Sequence, residues 1–400
     1  TQIEKTKATM ASELRIALAE PADLEAKLNA VRRYKTEEFI RIGLHDLGGA
    51  IDLDHVLAQL SDLAEACLGA TLRLAVGELE EKFGGIAGGE FAVLGMGKMG
   101  GRELDYNSDL DLVFIYSAHD DARSGGGVQG QVSAHEFYVR VGQKLITYLS
   151  APTEEGIAYK IDMQLRPSGK SGPLVCSLEG FRDYHKTSSL LWERQALIKA
   201  RCVAGETALG KHIEQVVEDF AYGAGLSSEG VGEIHHLRMR MEKELAGEGE
   251  DRFNLKKGKG GLVDIEFLTQ MLQLAYGQRH PSLHCRGTRD ALEALHDQDI
   301  LNRKDYRLLV EGYVFLRALE HRLRLEHDQS IDHFEREPAK IQGIAKALGY
   351  DGRQGHARRD RAKAGQKLLR DYEIRRDKIR ACYERYFLPP NSLKSKSADI

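Results

Sequence analysis

The sequence predicts an α+β protein in which a small mixed β-sheet lies between an N-terminal helical segment and a C-terminal helical bundle. Residues 1–84, and again those from about 206 onward, repeat apolar side chains every three or four positions, as amphipathic helices do. Between them, short apolar runs bounded by glycines alternate with a helical stretch, which indicates a mixed domain. The chain has 400 residues, enough for two or three domains. We therefore divide it into a helical segment at 1–84, a mixed domain at 85–205, a helical domain at 206–388 and a tail at 389–400.

The individual elements follow from these periodicities. In the first segment Leu24, Leu28 and Val31 share one helix face. The mixed domain has strand candidates at 91–94, 110–116, 157–165 and 173–176, a helix at 134–149 and a glycine-rich, flexible loop at 124–130. A helix is also expected at 192–201. In the last domain Ile265, Leu268 and Leu272 mark a helix face, longer helices are expected at 308–325 and 363–386, and the polar tail after residue 389 is expected to be disordered.

Composition excludes several classes of protein. The formal net charge is −4, which gives no overall electrostatic basis for coating nucleic acid. No apolar run is long enough to span a membrane, and no signal peptide is recognisable. The five cysteines are scattered without a CxxC pair, which favours a reducing cytosol over a disulfide framework or a zinc site. A start at Thr1 instead of Met is consistent with a piece of a longer protein, and a second catalytic half could precede it.

Three aspartates are the candidate metal ligands. Asp109 and Asp111 open the second predicted strand, and because side chains alternate along a strand they point to the same face. Adjacent carboxylates repel each other unless a cation lies between them, and Mg²⁺ prefers carboxylates and phosphates. Asp162, in the strand-like run 158–163, is expected to complete the set. Three acids around two metals would activate an attacking hydroxyl and stabilise a pyrophosphate leaving group. A solvated strand end and a salt-bridged Asp162 are the structural alternatives.

A glycine-rich turn precedes these aspartates. The run Gly95-Met96-Gly97-Lys98-Met99-Gly100-Gly101 would let backbone N–H groups approach a triphosphate. We therefore expect a site for ATP with Mg²⁺, with nucleotide contacts from Gly97, Lys98, Gly100, Gly101 and Ser108. The spacing also resembles a dinucleotide-binding turn, but there the next strand should end in one acid, not open with two.

Two other polar runs are weaker candidates. Arg166 and Lys170, in LRPSGKSG, could contact phosphates or could be solvated charges of a surface turn. Residues 256–261, KKGKGG, precede a helix that carries Asp264 in its first turn, and form either an anion site or a mobile basic linker. The basic stretch 353–385 favours a solvated face or an acidic partner protein over nucleic acid.

The motifs resemble those of a known family. A glycine turn followed by D-x-D is similar to the DNA polymerase β-like nucleotidyltransferase superfamily. Within it, FAVLGMGKMGGRELDYNSDLDLVFIY at 91–116 resembles the catalytic segment of the glutamine synthetase adenylyltransferases. Further blocks resemble the same family: RRYKTEEFIRIGLHDL at 32–47, LRPSGKSGPLV at 165–175, WERQALIKAR at 192–201 and KGGLVDIEFLTQ at 259–270. One departure is Lys98 after Gly97, where the wider superfamily has Gly or Ser; the adenylyltransferases share it.

The resemblance implies a fold and a reaction. The mixed domain would be a polymerase β-like nucleotidyltransferase domain. It would transfer AMP from ATP to a tyrosine hydroxyl of glutamine synthetase, with metals on Asp109, Asp111 and Asp162 and with Asp162 as a possible proton acceptor. The DIEF and RPSG blocks favour the adenylylating half of the enzyme, and a PII-type signal protein would act through the full-length enzyme. The alternatives are the AMP-removing half, a uridylyltransferase acting on PII, and a catalytically silent binding module, against which both Asp109 and Asp111 argue.

Overall fold

The computed structural model describes residues 3–21, 23–327, 329–350 and 363–388. The predicted α+β class is confirmed, with a small mixed sheet and many helices. The chain separates into two compact units, Thr1–Ala221 and Tyr222–Ile400. The predicted tail at 389–400 and part of the basic stretch, 353–362, lie outside the described residues.

Three helices form the start of the first unit, as the periodicity predicts: α1 (Lys7–Ala17), α2 (Leu24–Leu47) and α3 (Leu53–Phe83). Each begins at a residue whose side chain accepts a hydrogen bond from the first turn. Asp23 accepts from the amide of Ala26, and Asp52 accepts from the amide of His55. The third helix is buried along most of its length, so it is the support against which the sheet region packs.

The sheet of the first unit has five strands: β1 (Glu90–Gly95), β2 (Leu110–Ser117), β3 (Ile161–Asp162), β4 (Val175–Ser177) and β5 (Arg201–Gly205). Strand β1 lies antiparallel between β2 and β5. The other edge of β2 pairs in parallel with β3 near its start and with β4 near its end. The sheet is therefore mixed, and the start of β2 faces β3.

Five helices accompany the sheet: α4 (Gly97–Gly100), α5 (Ala134–Ser150), α6 (Leu178–Thr187), α7 (Leu191–Leu197) and α8 (Thr207–Tyr222). Helix α8 buries one aliphatic face in the same core cluster as Leu94 of β1 and Ile115 of β2; the residues of that face are Leu209, Ile213, Val216 and Val217. The helix therefore packs with the mixed domain, although it follows the predicted boundary at 205/206.

Two element predictions in this unit are wrong in extent. The strand expected at 157–165 is reduced to Ile161–Asp162, because the residues after it form a loop that Arg166 ties together. The helix expected at 192–201 ends at Leu197, since Arg201 pairs with Gly95 and begins β5. Propensity favoured a helix there, and strand pairing decided otherwise.

The glycine-rich loop at 124–130 is anchored, contrary to the flexible loop that its composition predicts. The amide of Gly125 donates to the carbonyl of Gly85, at 2.9 Å, and the amide of Gly126 donates to that of Phe83, at 2.8 Å. A Cβ on Gly84 would lie 2.7 Å from the nitrogen of Gly126. The glycines therefore permit close backbone packing against the end of α3.

The second unit is helical, as predicted. Its elements are α9 (Ser228–Leu245), β6 (Arg252–Asn254), α10 (Leu262–Tyr276), α11 (Thr288–Asp297), α12 (Arg303–His327), β7 (His333–Glu335), α13 (Gln342–Ala347) and α14 (Ala364–Phe387). Ile265, Leu268 and Leu272 all lie buried on α10, as their spacing predicts. Among the described residues, none of the helices combines the length and the apolar composition needed to cross a bilayer.

Candidate active site

Two of the predicted metal ligands are brought together by strand pairing. Asp111 of β2 and Asp162 of β3 are direct partners in the parallel register. Paired residues on adjacent strands point to the same face of a sheet, so these two carboxylates, more than 50 positions apart in the sequence, are neighbours. Asp109 comes two residues before Asp111, just ahead of the strand, and its side chain is exposed.

The glycine turn lies directly against Asp111. Gly97 begins the four-residue helix α4 with φ = +50°, and a Cβ placed on it would lie 2.8 Å from Oδ2 of Asp111. The amide of Met96 donates to the carbonyl oxygen of Asp111, at 2.9 Å. Glycine is needed at position 97 for two reasons: the backbone is left-handed there, and a side chain would collide with the carboxylate.

Asp162 is held by the residue that follows the strand. Its Oδ1 accepts from the backbone amide of Gln164, at 2.7 Å, and its Oδ2 accepts from Nε2 of the same residue, at 3.1 Å. In the parts of the chain that the structure describes, no three His, Cys, Asp or Glu side chains are gathered closely enough to hold a metal ion. The backbone thus places the acids at one end of β2, while the convergence of all three carboxylates on a common point stays a prediction.

The other residues predicted to contact the nucleotide lie in the glycine turn or in the turn that follows it. The hydroxyl of Ser108 accepts from the amide of Asp105, at 3.0 Å. A Cβ on Gly100 would lie 1.9 Å from the carbonyl oxygen of Lys199, so only glycine fits there. Gly101 is buried and its amide donates to the carbonyl of Gly97, at 3.0 Å. Lys98 is half-buried within α4. Contact of these residues with a nucleotide stays a prediction.

Arg166 organises its own loop. Its guanidinium donates to the carbonyl oxygens of Met163, at 2.7 Å, of Pro173, at 3.1 Å, and of Lys170, at 3.2 Å. The loop it closes links β3, which carries Asp162, to β4. The side chain of Lys170 is exposed. The geometry gives Arg166 a structural role, and the predicted phosphate contacts of both residues stay predictions.

Sequence reasoning missed the charged residues behind the glycine turn. Nζ of Lys199 lies 2.8 Å from Oε2 of Glu103, and both side chains are nearly buried. Nη2 of Arg201 lies 2.5 Å from Oε1 of Glu65, which is on α3. Burial alone raises the pKa of Glu65, but hydrogen bonds from Arg201 and Lys7 outweigh it and lower that pKa, so the carboxyl group is ionised. The available signal was the KAR end of WERQALIKAR, where two basic residues flank one alanine.

The KKGKGG run of the second unit is internally bonded. The amides of Lys256 and Lys257 donate to Oδ1 of Asn254, and the amide of Lys259 donates to Glu248. The amide of Gly260 donates to Oδ2 of Asp264, at 2.8 Å. These backbone donors are used within the protein, so neither of the two alternatives drawn from the sequence, an anion site built on these amides or a mobile basic linker, describes the loop.

Asp264 is a buried ion-pair centre. Its side chain and that of Arg238 are both 0% exposed, and Oδ1 accepts from Nε of Arg238 at 2.5 Å. Nε of Arg380 lies 2.9 Å from Oδ2. Asp264 therefore joins α9, α10 and α14.

A basic surface groove lies between the start of α12 and the end of α14. Its volume is about 710 Å³, and its lining residues are Arg303, Lys304, Asp305, Arg307, Leu308, Glu311, Lys378, Ala381 and Arg385. Asp305 pairs with Arg385, at 2.5 Å, and Glu311 pairs with Arg307, at 3.7 Å. The remaining charges of the groove are positive, which agrees with the basic polar side predicted for the last helix.

Comparison with family models divides the chain much as its compact units do. A model described as glutamate-ammonia ligase adenylyltransferase matches residues 1–216, more than half of the chain. A second, described as GlnD PII-uridylyltransferase, matches residues 234–387.

Three curated relatives from different bacteria carry the same name, bifunctional glutamine synthetase adenylyltransferase/adenylyl-removing enzyme. The protein from Burkholderia pseudomallei is 35% identical over 345 residues, which are 83% of this chain and 37% of the relative. That from Nitrosococcus oceani is 36% identical over 329 residues, 80% of this chain and 33% of the relative. That from Thioalkalivibrio sulfidiphilus is 32% identical over 357 residues, which are 87% of this chain and 36% of the relative. This chain spans about a third of the length of these relatives.

The resemblance drawn from the motifs at 32–47, 91–116 and 165–201 falls within the part of the chain that the first model matches, and it is confirmed. The chain belongs to the glutamate-ammonia ligase adenylyltransferase family.

Proposed function

We propose that this chain transfers AMP from ATP to a tyrosine hydroxyl of glutamine synthetase and releases pyrophosphate, which would lower glutamine synthesis. The observation that carries the proposal is the pairing of Asp111 with Asp162 beside the glycine turn at Gly97. Family membership and the names of the relatives support the acceptor and the transferred group.

The acids are suited to hold Mg²⁺. Asp111 and Asp162 present carboxylate oxygens from paired strands, and Asp109 adds a third from the segment just ahead of β2. Bound there, two magnesium ions would lower the pKa of the attacking hydroxyl and neutralise charge on the leaving pyrophosphate. The same carboxylates are then ligands, and a substitution that removes one negative charge should weaken Mg²⁺ and ATP binding together.

The chain's own residues would orient the reactants. The backbone at Gly97 comes close to Asp111 without a side chain between them, so a phosphate bound at the turn would lie near the carboxylates that hold Mg²⁺. Asp162 could accept the proton of the tyrosine hydroxyl, since that hydroxyl must attack the α-phosphorus in line with the departing pyrophosphate. Arg166 would keep the loop after Asp162 in one conformation, and Lys170, exposed on that loop, could reach a phosphate.

Recognition of glutamine synthetase belongs, in this proposal, to the second unit. A protein tyrosine is presented on a folded partner, so a surface beyond the sheet has to contact that partner. The basic groove of α12 and α14 is a surface for an acidic patch. A PII-type signal protein would act through the full-length enzyme, as the match to a PII-uridylyltransferase model suggests.

The five free cysteines fit a cytoplasmic location, and no role in nucleic-acid or membrane binding is proposed.

Two other activities have specific support. The relatives' name includes adenylyl removal, so the chain could instead release AMP from modified glutamine synthetase. The model matched at 234–387 is described as a PII-uridylyltransferase, so UTP and a PII protein are a second alternative pair of substrates.

One set of incubations separates these activities. The chain is mixed with Mg²⁺ and unmodified glutamine synthetase and with ATP labelled at the α- or the γ-phosphate; only the α-label should reach the synthetase. In parallel, it is mixed with adenylylated synthetase and phosphate, or with a PII protein and labelled UTP. Loss of AMP from the modified synthetase, or label on PII without label on the synthetase, would contradict the proposal.

The variant Asp111→Asn serves as the negative control for AMP transfer. Loss of a metal ligand should reduce the rate by at least about 100-fold, because even outer partners of metal ligands are worth about 10- to 100-fold. The melting temperature should not fall, since one like charge is removed from the pair with Asp162. Asp121→Asn, an exposed aspartate paired with His119, should keep full activity.

A further inference from the structure

Arg201 lies behind the glycine turn and touches its backbone. Its Nε donates to the carbonyl oxygen of Gly100, at 3.1 Å, and its Nη2 donates to that of Met99, at 3.2 Å. The same Nη2 lies 2.5 Å from Oε1 of Glu65 on α3. The side chain of Arg201 is 15% exposed and that of Glu65 is 1% exposed. A buried charge pair is costly to form unless its geometry is well satisfied, as it is here by two carbonyls.

The backbone beside Arg201 holds the same turn from the same side. Arg201 pairs with Gly95 at the start of β5. Two residues earlier, the carbonyl of Lys199 is packed so tightly on Gly100 that a Cβ there would lie 1.9 Å from the oxygen. Nζ of Lys199 pairs with Glu103, which follows the turn, at 2.8 Å. The rear of the turn is therefore fixed by contacts to α3 and β5.

The front of the turn is fixed on Asp111. Gly97 lies three residues before Gly100 in the single short helix α4, and its Cα faces Oδ2 of Asp111. The amide of Met96 is bonded to the carbonyl of Asp111. Because α4 is one hydrogen-bonded turn, a shift of Gly100 is passed to Gly97, and the gap between the turn and the carboxylate changes with it.

We propose that Arg201 is a positioning residue for AMP transfer: anchored on Glu65, it holds the carbonyls of Met99 and Gly100 so that the glycine turn keeps its distance from Asp111. The inference rests on the proposed function. Arg201 acts through the turn and touches neither nucleotide nor metal. Its fork of donors binds two carbonyls and a carboxylate at once, which a lysine cannot do in the same geometry.

The test compares Arg201→Gln and Arg201→Lys with the same two changes at Arg194. Arg194 is half-buried in the same sequence block and donates Nε to a different carbonyl, that of Ala221, at 3.1 Å. The melting temperature, kcat, and the KM values for ATP and for glutamine synthetase are measured for each variant of the 400-residue chain. Both Arg201 variants should lose about 10- to 100-fold in kcat/KM for ATP, the range for residues that orient a ligand from behind, with an unchanged KM for the synthetase. The Arg194 variants should lower the melting temperature only.

Chemical rescue by guanidinium ion measures recovery of kcat, which a purely structural role of Arg201 would not produce. Guanidinium ion added to Arg201→Ala should restore part of kcat, and it should do nothing for Arg194→Ala. Glu65→Gln should show a smaller loss in the same direction, because Arg201 keeps its carbonyls but loses its anchor. Arg201 variants that keep kcat/KM for ATP within about twofold of the unsubstituted chain, while melting earlier, would reduce the residue to a structural one.

Nucleotide binding separates failure of this inference from failure of the proposed function. Binding of a fluorescent ATP analogue with Mg²⁺ is titrated in the absence of any acceptor. If the unsubstituted chain binds the ATP analogue but modifies no synthetase, glutamine synthetase is not the acceptor. The Arg201 variants should still bind the analogue about tenfold more weakly in that case. If the chain transfers AMP and the Arg201 variants bind and react normally, only the positioning role is overturned.

Discussion

At the scale of single residues, Gly97 has two separate reasons to be glycine. Its φ of +50° costs other residues about 1–2 kcal/mol. Its Cα also faces the Asp111 carboxylate, so a methyl group would lie 2.8 Å from Oδ2. Gly88 shares only the first reason, with φ = +66° and open space around its Cα.

Gly97→Ala and Gly88→Ala should therefore separate backbone strain from the site. Both should destabilise the protein by about 1–2 kcal/mol in denaturant unfolding, because both residues have positive φ. Gly97→Ala should in addition weaken Mg²⁺-dependent ATP binding, since Asp111 must move. Equal ATP affinity in the two variants would mean that the Gly97 turn does not define the metal and nucleotide site.

At the scale of elements, Glu78 joins α3 to α5. Its Oε1 accepts from Lys82 at 2.6 Å and from Lys144 at 2.8 Å, and Tyr148 donates to Oε2. Partial burial by itself raises the pKa of Glu78, but these three hydrogen bonds outweigh it and lower that pKa to about 2. An acid whose folded pKa is depressed stabilises the protein above its unfolded pKa, near 4.3.

Glu78→Gln should lower the free energy of unfolding at pH 7 by about 1.5–3 kcal/mol, the range for hydrogen bonds to a charged group. The difference between the two proteins should shrink as the pH falls from about 5 toward 2, because the native carboxylate is then protonated as well. Glu81→Gln, exposed on the same helix, should leave the free energy of unfolding at pH 7 nearly unchanged. A difference that stays constant from pH 7 to about 2 would exclude this network as its source.

In the second unit, the buried Asp264 of α10 links helices in the way that Glu78 links α3 to α5. Asp264→Asn would leave Arg238 and Arg380 with only the single carboxylate of Glu242 between them, and breaking a buried ion pair typically costs about 3–5 kcal/mol. Calorimetry should show this loss in the transition of the second unit, while Glu244→Gln, which removes only an exposed pair with Arg240 on α9, changes little. Lost AMP transfer without any loss of stability would instead give Asp264 a part in the reaction.

At the scale of the whole molecule, α8 determines where the chain can be truncated without unfolding the first unit. Four of its aliphatic side chains, at 209, 213, 216 and 217, are buried in the core of the first unit. Each contributes about 1.5–3 kcal/mol when fully buried, so together they rival the about 5–15 kcal/mol of a typical domain.

A chain truncated after residue 227 should therefore melt cooperatively, and one truncated after 205 should not. The longer of the two should still bind ATP with Mg²⁺ and should lose modification of glutamine synthetase, because the second unit is absent. Circular dichroism melts and the labelled-ATP incubation check both statements. Full-rate modification by residues 1–227 would show that the second unit has no part in recognising the acceptor.

Local sequence patterns determined most of the elements and the candidate acids. Periodicity placed α2, α3 and α14, because such a pattern depends on neighbours in the chain. That Asp109 and Asp111 share one face stays a prediction, since β2 begins at Leu110 and Asp109 precedes it. The family followed from motifs that are contiguous in sequence.

Only the tertiary structure decided which distant groups meet. The register that sets Asp162 beside Asp111 comes from a two-residue strand, too short to carry a pattern of its own. Arg201 was predicted to end a helix, and it begins β5 instead, because pairing with β1 and contact with Glu65 of α3 outweigh local propensity. The glycines at 97 and 100 looked alike in sequence; packing against a carboxylate in front and a carbonyl behind gives them different tasks. Contacts between residues far apart in the chain depend on packing and strand pairing, which local periodicity does not encode.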